Sequence, residues 1–228
     1  MIFRQLFDAD TSTYTYLLAD EDTHEAVLID AVDTQVERDL KLIDELGLWL
    51  THALETHVHA DHITASGRLR ERTGCDIGVS AHGHVDCADL QLQESDVIHF
   101  GNHELRVIET PGHTDSCLTY HCEGMLFTGD SLMIRLCGRT DFQQGDAGRL
   151  YDSVTGKLFT LPDDTLVYPG HDYRGHTRST IGEEKQFNSR LTQPRDAFIR
   201  TMADLNLPMP KRIDEAVPAN QKCGLNNS

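Results

Sequence analysis

The sequence contains few basic residues for its length. Its 228 residues include 20 lysines and arginines against 37 aspartates and glutamates, which gives a formal net charge of −17 at pH 7. A surface with this excess of negative charge repels phosphate backbones and anionic lipid headgroups. We therefore expect no nucleic-acid partner and no membrane partner, and we expect small-molecule ligands or a second protein subunit instead.

The chain also lacks an apolar run of membrane length, a basic segment followed by an apolar stretch near its start, and any C-x-x-C pair. Cysteines without a compact disulfide framework are typical of a reducing compartment. We expect a cytoplasmic protein whose cysteines are buried as small hydrophobic side chains rather than used as metal ligands or nucleophiles. The six are Cys75, Cys87, Cys117, Cys122, Cys137 and Cys223.

Internal repeats, low-complexity tracts and linker-like segments are absent, which favours one domain over residues 1–228. A hydrophobic content of 39% is ample for a packed core in a chain of this size. We expect disorder only in the tail Asn226–Ser228.

Alternating and clustered apolar residues predict a chain of short strands interrupted by helices. The predicted helices are 34–46, 63–72 and 148–159, with Gly47 and Gly74 at the first two C-termini. A layered α/β sandwich accommodates strands in both halves of the chain with helices between them. The predicted strands are 2–7, 14–19, 26–30, 49–54, 76–80, 97–100, 104–109, 117–121, 125–128 and 165–168.

The segment Thr56–His62, with sequence THVHADH, follows the predicted strand 49–54 and contains four groups that could bind a metal ion. In an extended chain His57, His59 and Asp61 point to the same side. Gathering imidazoles and a carboxylate in this way is unfavourable unless a positive charge holds them together. A divalent transition metal supplies that charge.

Three more loops each offer one ligand at a strand end: PGHT with His113, TGDS with Asp130, and PGHDY with His171. A glycine before each ligand permits a sharp turn and close approach of the backbone. The remaining histidines lack this context, so we interpret them as surface or structural residues: His24, His52, His82, His84, His99, His103, His121 and His176.

The pattern H-x-H-x-D-H followed by separate His, Asp and His loops resembles the metallo-β-lactamase superfamily, whose fold is an α/β αββα sandwich with the metal at one edge. These ligands alone do not identify the reaction, because the superfamily includes two-metal hydrolases, lyases and iron proteins that use oxygen.

The segment CGRTDFQQGD at residues 137–146 is similar to the persulfide dioxygenase family of this superfamily. The likeness covers nearly the whole chain, from TYTYLL at 13–18 through HADHITASG and YPGHDYRG to LNLPMPKRIDEAVPANQKCG at 205–224. The 137–146 segment is its specific part, because it is not associated with the hydrolytic relatives.

The resemblance implies one Fe(II) per chain, held by His57, His113 and Asp130. Two histidines and one carboxylate on one face leave open positions, which is typical of non-haem iron oxygenases. His59, Asp61, His62 and His171 are then expected to support the ligands through hydrogen bonds. We expect His171 and Tyr173 to contribute to catalysis, and Arg139, Tyr173 and Arg174 to bind the substrate.

The reaction implied is oxidation of glutathione persulfide by O₂ to sulfite and glutathione, and the resemblance suggests a homodimer. For Arg139 a structural ion pair with Asp141 or Asp146 is an equal alternative, and for Arg174 a solvated surface charge is the simpler interpretation. The sequence does not distinguish glutathione persulfide from the persulfides of coenzyme A or cysteine.

Two other functions stay open. In a hydroxyacylglutathione hydrolase of the glyoxalase II type, His57, His59 and His113 would hold one metal ion, Asp61, His62 and His171 a second, and Asp130 would bridge them; a bridging hydroxide would then attack a thioester. A non-enzymatic metal-buffering or thiol-sensing protein would instead report through Cys117, Cys122 or Cys137. Metal stoichiometry and catalytic oxygen consumption discriminate among the three.

Overall fold

A computed structural model describes residues 1–225, so the expected disorder of 226–228 lies outside the described residues. The first half of the chain forms a six-stranded sheet in sequential order, with the strands β1 (Ile2–Asp8), β2 (Thr13–Ala19), β3 (Glu25–Ile29), β4 (Trp49–Leu54), β5 (Asp76–Ser80) and β6 (Leu90–Leu92). Its first three strands form an antiparallel meander, and β3 to β6 are parallel.

A second six-stranded sheet follows, in the order β12-β11-β10-β9-β8-β7. Strands β7 to β10 are antiparallel, and β10 pairs with β11 in parallel. Strands β8, β10 and β11 therefore run in the same direction and end at the same edge. The strands are β7 (Val97–Phe100), β8 (His103–Glu109), β9 (Leu118–Cys122), β10 (Met125–Gly129), β11 (Leu166–Pro169) and β12 (Ser179–Thr180).

The helices cover the outer faces of both sheets. Helices α1 and α2 pack on the first sheet through Val36, Ile43 and Leu69, and α3 to α5 pack on the second through Leu150 and Phe198 among others. The predicted αββα sandwich is thereby confirmed. The helices are α1 (Val36–Glu45), α2 (Ser66–Thr73), α3 (Ala147–Gly156), α4 (Ile181–Phe187), α5 (Arg195–Ala203) and α6 (Ile213–Asn220).

The central core lies between the two sheets. Tyr16 and Leu54 from the first sheet meet Phe100, Tyr120 and Phe127 from the second, and all five are almost fully buried. Burial of each such side chain stabilises the fold by about 1.5–3 kcal/mol. The two tyrosine hydroxyls donate to the carbonyls of Pro169 and Glu55, which satisfies their polar ends and joins the sheets near the loops that follow β4 and β11.

Three predictions about local structure were incomplete. Strands β6 and β12 were missed, because three and two residues are too few to show a pattern. Helix α2 begins at Ser66 instead of Ile63, since the backbones of Ile63 and Ala65 pair with Asp33 and Ala31.

Within residues 1–225, none of the helices is both long and apolar enough to cross a bilayer.

The expectation that all six cysteines are unpaired hydrophobic side chains was wrong for two of them. Cys87 and Cys223 form a disulfide across a sequence separation of 136 residues, whereas Cys75, Cys117, Cys122 and Cys137 are free and buried. The linked segments are the loop after β5 and the turn after α6. A pairing between such distant positions leaves no signature in the cysteine spacing.

We predict that the unfolded, unreduced protein exposes four titratable thiols, and that Cys87→Ser lowers the free energy of unfolding by about 2–5 kcal/mol, because the closed loop is long. Thiol titration in guanidinium and urea denaturation of both proteins measure this. Six thiols in the unreduced wild-type protein, or equal stability of the two proteins, would show that the bridge is not formed.

Candidate metal centre

Four loops bring the predicted ligands to one edge of the sandwich. His57 follows β4 of the first sheet, whereas His113, Asp130 and His171 follow β8, β10 and β11 of the second. The three strands of the second sheet run in the same direction, so their loops emerge side by side. The edge where the two sheets meet therefore collects side chains that are up to 114 residues apart in sequence, from position 57 to position 171.

His57, His113 and Asp130 each contribute one ligand atom to a group in which all atoms lie within 4.8 Å of one another. The Nε2 atom of His113 is 3.6 Å from Oδ2 of Asp130, and the rings of His57 and His113 meet edge to face at 5.0 Å. Both histidines are buried and Asp130 is partly exposed. The structure thus brings together the three residues that the sequence proposed as ligands.

Glycines permit this approach, as their position before each ligand predicted. Gly112 and Gly129 have φ angles of +141° and +48°, and a Cβ atom would lie 2.2 Å from the backbone nitrogen of Leu150 and 2.4 Å from Oγ1 of Thr56, respectively. Gly170 has no such φ angle, but its Cβ would lie 3.0 Å from Oδ1 of Asp130. A side chain at Gly112 would therefore overlap helix α3, one at Gly129 would overlap Thr56, and one at Gly170 would crowd Asp130.

Hydrogen bonds fix which nitrogen of each histidine faces the centre. The Thr56 hydroxyl donates to Oδ2 of Asp30 at 2.8 Å, so at 3.0 Å it accepts from Nδ1 of His57. Nδ1 of His113 donates to the carbonyl of Arg139 at 2.7 Å. Both histidines therefore carry their hydrogen on Nδ1 and leave the Nε2 lone pair free, which is the tautomer that a metal ligand needs.

The electrostatic environment keeps His57 neutral. Burial lowers the pKa of His57 well below its usual value, and the neighbouring His59 and His113 lower it further. Oδ1 of Asp130 is buried and has no hydrogen-bond partner among residues 1–225. Two imidazoles with Nε2 toward the centre and a carboxylate with an unsatisfied oxygen match the donor set of a divalent transition metal, so these residues fit such an ion.

His59, which the sequence placed beside the ligands, directs its Nε2 into the protein interior, and its Nδ1 has no hydrogen-bond partner among residues 1–225. Its Nε2 lies 3.2 Å from Oδ1 of Asp30 and 3.3 Å from Oε2 of Glu55. Burial opposes protonation of His59, but these two carboxylates raise its pKa well above the usual value. His59 therefore supports His57 indirectly, because both are linked to Asp30.

Asp61, His62 and His171 form the opposite side of the centre. Nδ1 of His62 is 3.1 Å from Oδ2 of Asp61, and one ligand atom each from His59, Asp61 and His62 lies within 4.8 Å of the others. Nδ1 of His171 donates to the carbonyl of Ser12 at 3.2 Å. Its Nε2 is 3.6 Å from Asp61 and 3.8 Å from Asp130, so His171 contacts the centre through two carboxylates.

A cavity of about 230 Å³ opens onto the centre. Its lining includes Arg139 and Tyr173, which the sequence proposed as substrate contacts, but Arg174 lies outside it and is exposed. The Tyr173 ring stacks on His171 with a centroid distance of 6.0 Å. The lining residues are His57, Ala60, Asp61, His113, Asp130, Arg139, Phe142, His171, Tyr173 and Pro210.

Arg139 forms the ion pair that the sequence left as an alternative, and its partner is Asp141 instead of Asp146. Two contacts of 2.6 Å join the guanidinium to the Asp141 carboxylate, and the same guanidinium donates to the carbonyls of Pro208 and Leu207. Arg139 thus also holds the segment before α6 at the cavity.

Sequence reasoning missed four residues that shape the centre: Asp30, Glu55, Thr56 and Asn220. Asp30 follows β3 directly, so a carboxylate at a strand end was a signal that could have been used. Asn220 is 158 residues from His62 yet donates to its carbonyl, and no local pattern predicts that contact.

The free thiols near the centre stay protonated, because burial raises the pKa of Cys117 and of Cys137 to about 11.

We predict that Thr56→Val weakens metal binding by about 10–100-fold, since the hydroxyl that orients His57 is lost while the side-chain volume is kept. Competition with a chelator measures the affinity. Thr119→Val is the matched control, because Thr119 is equally buried and its hydroxyl bonds Thr110 instead. Equal affinity of the Thr56 variant and the control would contradict the role of Thr56.

Known proteins resemble this chain in sequence over most of its length. The model of the Metallo-beta-lactamase superfamily matches residues 9–171. The chain is 50% identical over 228 residues to the persulfide dioxygenase ETHE1, mitochondrial, of Homo sapiens, which covers 99% of this chain and 89% of that protein. It is 36% identical over 167 residues to a hydroxyacylglutathione hydrolase of Cereibacter sphaeroides, covering 72% of this chain and 64% of that protein.

Among solved structures, ETHE1 from Myxococcus xanthus superposes with a TM-score of 0.97 at 56% identity, covering 99% of this chain and 100% of that one. A metallo-beta-lactamase from Staphylococcus aureus superposes with a TM-score of 0.90 at 27% identity, covering 100% of this chain and 74% of the other. The first similarity extends over the whole length of both chains, including the segments after residue 171.

Proposed function

The chain belongs to the persulfide dioxygenase family of the metallo-β-lactamase superfamily, and from this we propose that it oxidises glutathione persulfide with O₂ at a single Fe(II). The chain is an oxidoreductase and a persulfide dioxygenase. What we propose beyond the family is the metal, its ligands and the low-molecular-weight thiol that carries the persulfide.

One observation carries the proposal of a mononuclear centre: the ligand atoms of His57 and His113 are grouped with Asp130 and not with His59. In the hydrolase alternative His59 would bind a metal together with His57 and His113. Here one close group comprises His57, His113 and Asp130, whereas His59 belongs to a separate group with Asp61 and His62. Nε2 of His59 contacts two buried carboxylates, and its Nδ1 has no hydrogen-bond partner among residues 1–225. A centre with three protein ligands keeps positions open for a substrate sulfur and O₂.

Bound Fe(II) would supply the redox chemistry that lets O₂ react with a thiol-type sulfur. Without a metal this reaction is slow, because O₂ is a triplet and the persulfide is a singlet. One persulfide, one O₂ and one water give one glutathione and one sulfite, with release of protons. The persulfide supplies the electrons, so the reaction needs no external reductant.

The protein contributes positioning and exclusion of water. His57, His113 and Asp130 would present their lone pairs to the metal, and Thr56 and the Arg139 carbonyl keep the two imidazoles in the required tautomer. His171 lies between Asp61 and Asp130. We propose that it holds the Asp130 carboxylate in place and that the Tyr173 ring stacked on it lines the path of the substrate.

Glutathione carries two carboxylates, which need cationic or hydrogen-bonding partners. Arg139 lies in the cavity lining, and its pairing with Asp141 holds it there. This supports a role of Arg139 in which it keeps the Leu207–Pro208 backbone at the rim, while its charge is balanced by Asp141. Persulfides of coenzyme A and cysteine are the competing substrates.

Oxygen uptake by the iron-reconstituted protein tests the proposal. After anaerobic loading with Fe(II), glutathione persulfide is added and O₂ and sulfite are followed, with a glutathione thioester as the parallel substrate. We expect one O₂ consumed and one sulfite formed per persulfide, without thioester cleavage. Thioester cleavage without O₂ consumption would mean that the hydrolase alternative is right.

Variants of the proposed ligands separate metal binding from rate. We predict that His113→Ala and Asp130→Ala lose iron and oxygen uptake together, whereas His171→Ala retains about one iron per chain and loses about 10–100-fold in rate, as supporting residues do. Iron analysis per chain and oxygen uptake are measured on the same samples. A His171 variant that loses its metal would identify His171 as a ligand and favour the dinuclear alternative.

Arg139→Ala tests the substrate assignment. We predict an increase of about tenfold in KM for glutathione persulfide, which corresponds to about 1.4 kcal/mol of lost binding, with iron content unchanged. Arg174→Ala is the matched control, because Arg174 is an exposed arginine outside the cavity lining. An unchanged KM for the Arg139 variant would remove Arg139 from the substrate site.

Cytoplasmic residence and a homodimer stay predictions of the sequence.

A non-enzymatic thiol sensor is disfavoured, because burial raises the pKa of the Cys117 and Cys122 thiols to about 11 and about 12, and thiolates are the reactive form of cysteine.

A further inference from the structure

The segment between β4 and α2 contains the histidine-rich loop and has little regular structure. Buried backbone groups outside helices and sheets still need hydrogen-bond partners, since an unpaired buried group is costly. Ile63 and Ala65 obtain theirs from the backbones of Asp33 and Ala31. The carbonyls of His59 and His62 and the N–H of Thr64 form their hydrogen bonds with a side chain instead.

One buried side chain from the last helix contacts all three of these groups. Nδ2 of Asn220 donates to the carbonyl of His59 at 2.9 Å and to that of His62 at 2.8 Å. Oδ1 of Asn220 accepts from the N–H of Thr64 at 2.9 Å. Asn220 is 95% buried, with a relative exposure of 5%, so water does not replace these bonds readily.

Resting on the proposed function, we infer that Asn220 is a positioning residue of the metal centre. Its two donated hydrogen bonds reach the carbonyls on either side of Ala60 and Asp61. They fix the turn that contains Asp61 and His62. Asp61 contacts His171 across 3.6 Å, and His171 faces Asp130 at 3.8 Å. Asn220 thus acts on a proposed metal ligand through the loop, Asp61 and His171, without entering the cavity.

The segment that carries Asn220 is itself fixed to the loop. Ile63 packs against Ala216 and Ala219 of α6, and the N–H of Gly67 in α2 donates to the carbonyl of Cys223 at 2.8 Å. A Cβ atom on Gly224 would lie 2.0 Å from the carbonyl oxygen of Thr64. With the disulfide to Cys87, these contacts give the amide of Asn220 a defined position relative to the loop.

Two substitutions test the inference. Asn220→Ala removes all three bonds, and Asn220→Asp keeps the size and the acceptor for Thr64 but places a carboxylate oxygen against two carbonyls. Val217→Ala is the matched control on the same helix: Val217 packs against the apolar cluster that includes Val58 of the same loop, so its loss affects packing and stability, but its side chain makes no hydrogen bond to the loop. Each iron-loaded protein is compared in kcat per bound iron, KM for glutathione persulfide and thermal unfolding.

For both Asn220 variants we expect kcat per bound iron to fall by about tenfold with KM within about twofold, as for other residues that orient ligands. Val217→Ala should unfold at a lower temperature with unchanged kcat per iron. If the Asn220 variants lose iron and activity in proportion, or if Asn220→Asp is fully active, Asn220 is a structural residue only and the inference is overturned.

A second readout does not depend on the activity. Co(II) replaces iron in the wild-type protein and in the variants, and its visible absorption bands report the ligand geometry. A changed spectrum in both Asn220 variants but not in Val217→Ala supports the inference even if the wild-type protein does not oxidise persulfide. Identical spectra in all four proteins would overturn it, whatever the substrate.

Discussion

The centre depends on one constraint: ligand atoms from two imidazoles and one carboxylate lie within 4.8 Å of one another. Such an arrangement is unfavourable by itself, because each donor loses water and gains no partner. Oδ1 of Asp130 is such a donor, since it is buried and has no hydrogen-bond partner among residues 1–225. The protein maintains the arrangement by fixing the outer nitrogen of each histidine, through Thr56 and Asp30 for His57 and through a backbone carbonyl for His113. A divalent metal ion turns the unfavourable cluster into a coordination site.

The fold supplies the rigidity that this constraint demands. Tightly packed aromatic side chains join the two sheets, and the loops of the centre leave from strand ends whose register is set by the sheet hydrogen bonds. Residues far from the centre in sequence complete it. Asp30 comes from the end of β3, Arg139 holds the 207–208 backbone at the rim, and Asn220 reaches the histidine-rich loop from α6. The C-terminal part of the chain is therefore part of the site.

Much of this could be predicted from the sequence, for identifiable reasons. The bounds of β4, β5 and β7 were predicted to the residue, because their apolar clusters are flanked by polar turns. The loops of His57, His113, Asp130 and His171 were found because each ligand follows a strand and three of them follow a glycine. The whole-chain resemblance added the reaction, which the ligands alone could not distinguish from hydrolysis.

Other features depend on three-dimensional proximity and left no local signal. The disulfide between Cys87 and Cys223 joins segments 136 residues apart. The direction in which His59 points is set by Asp30 and Glu55, and its alternation with His57 in the sequence suggested a shared face instead. The choice of Asp141 over Asp146 by Arg139 follows from loop geometry, since Asp146 accepts from the N–H of Arg149 at the start of α3.

The most direct test of a single-metal centre is an anomalous difference map, recorded at the iron absorption edge from crystals of the iron-reconstituted protein. We expect one peak per chain, within coordination distance of His57, His113 and Asp130. A second peak of comparable height among Asp61, His62 and His171, with His59 turned to the first ion, would contradict it and indicate a dinuclear hydrolase-type centre.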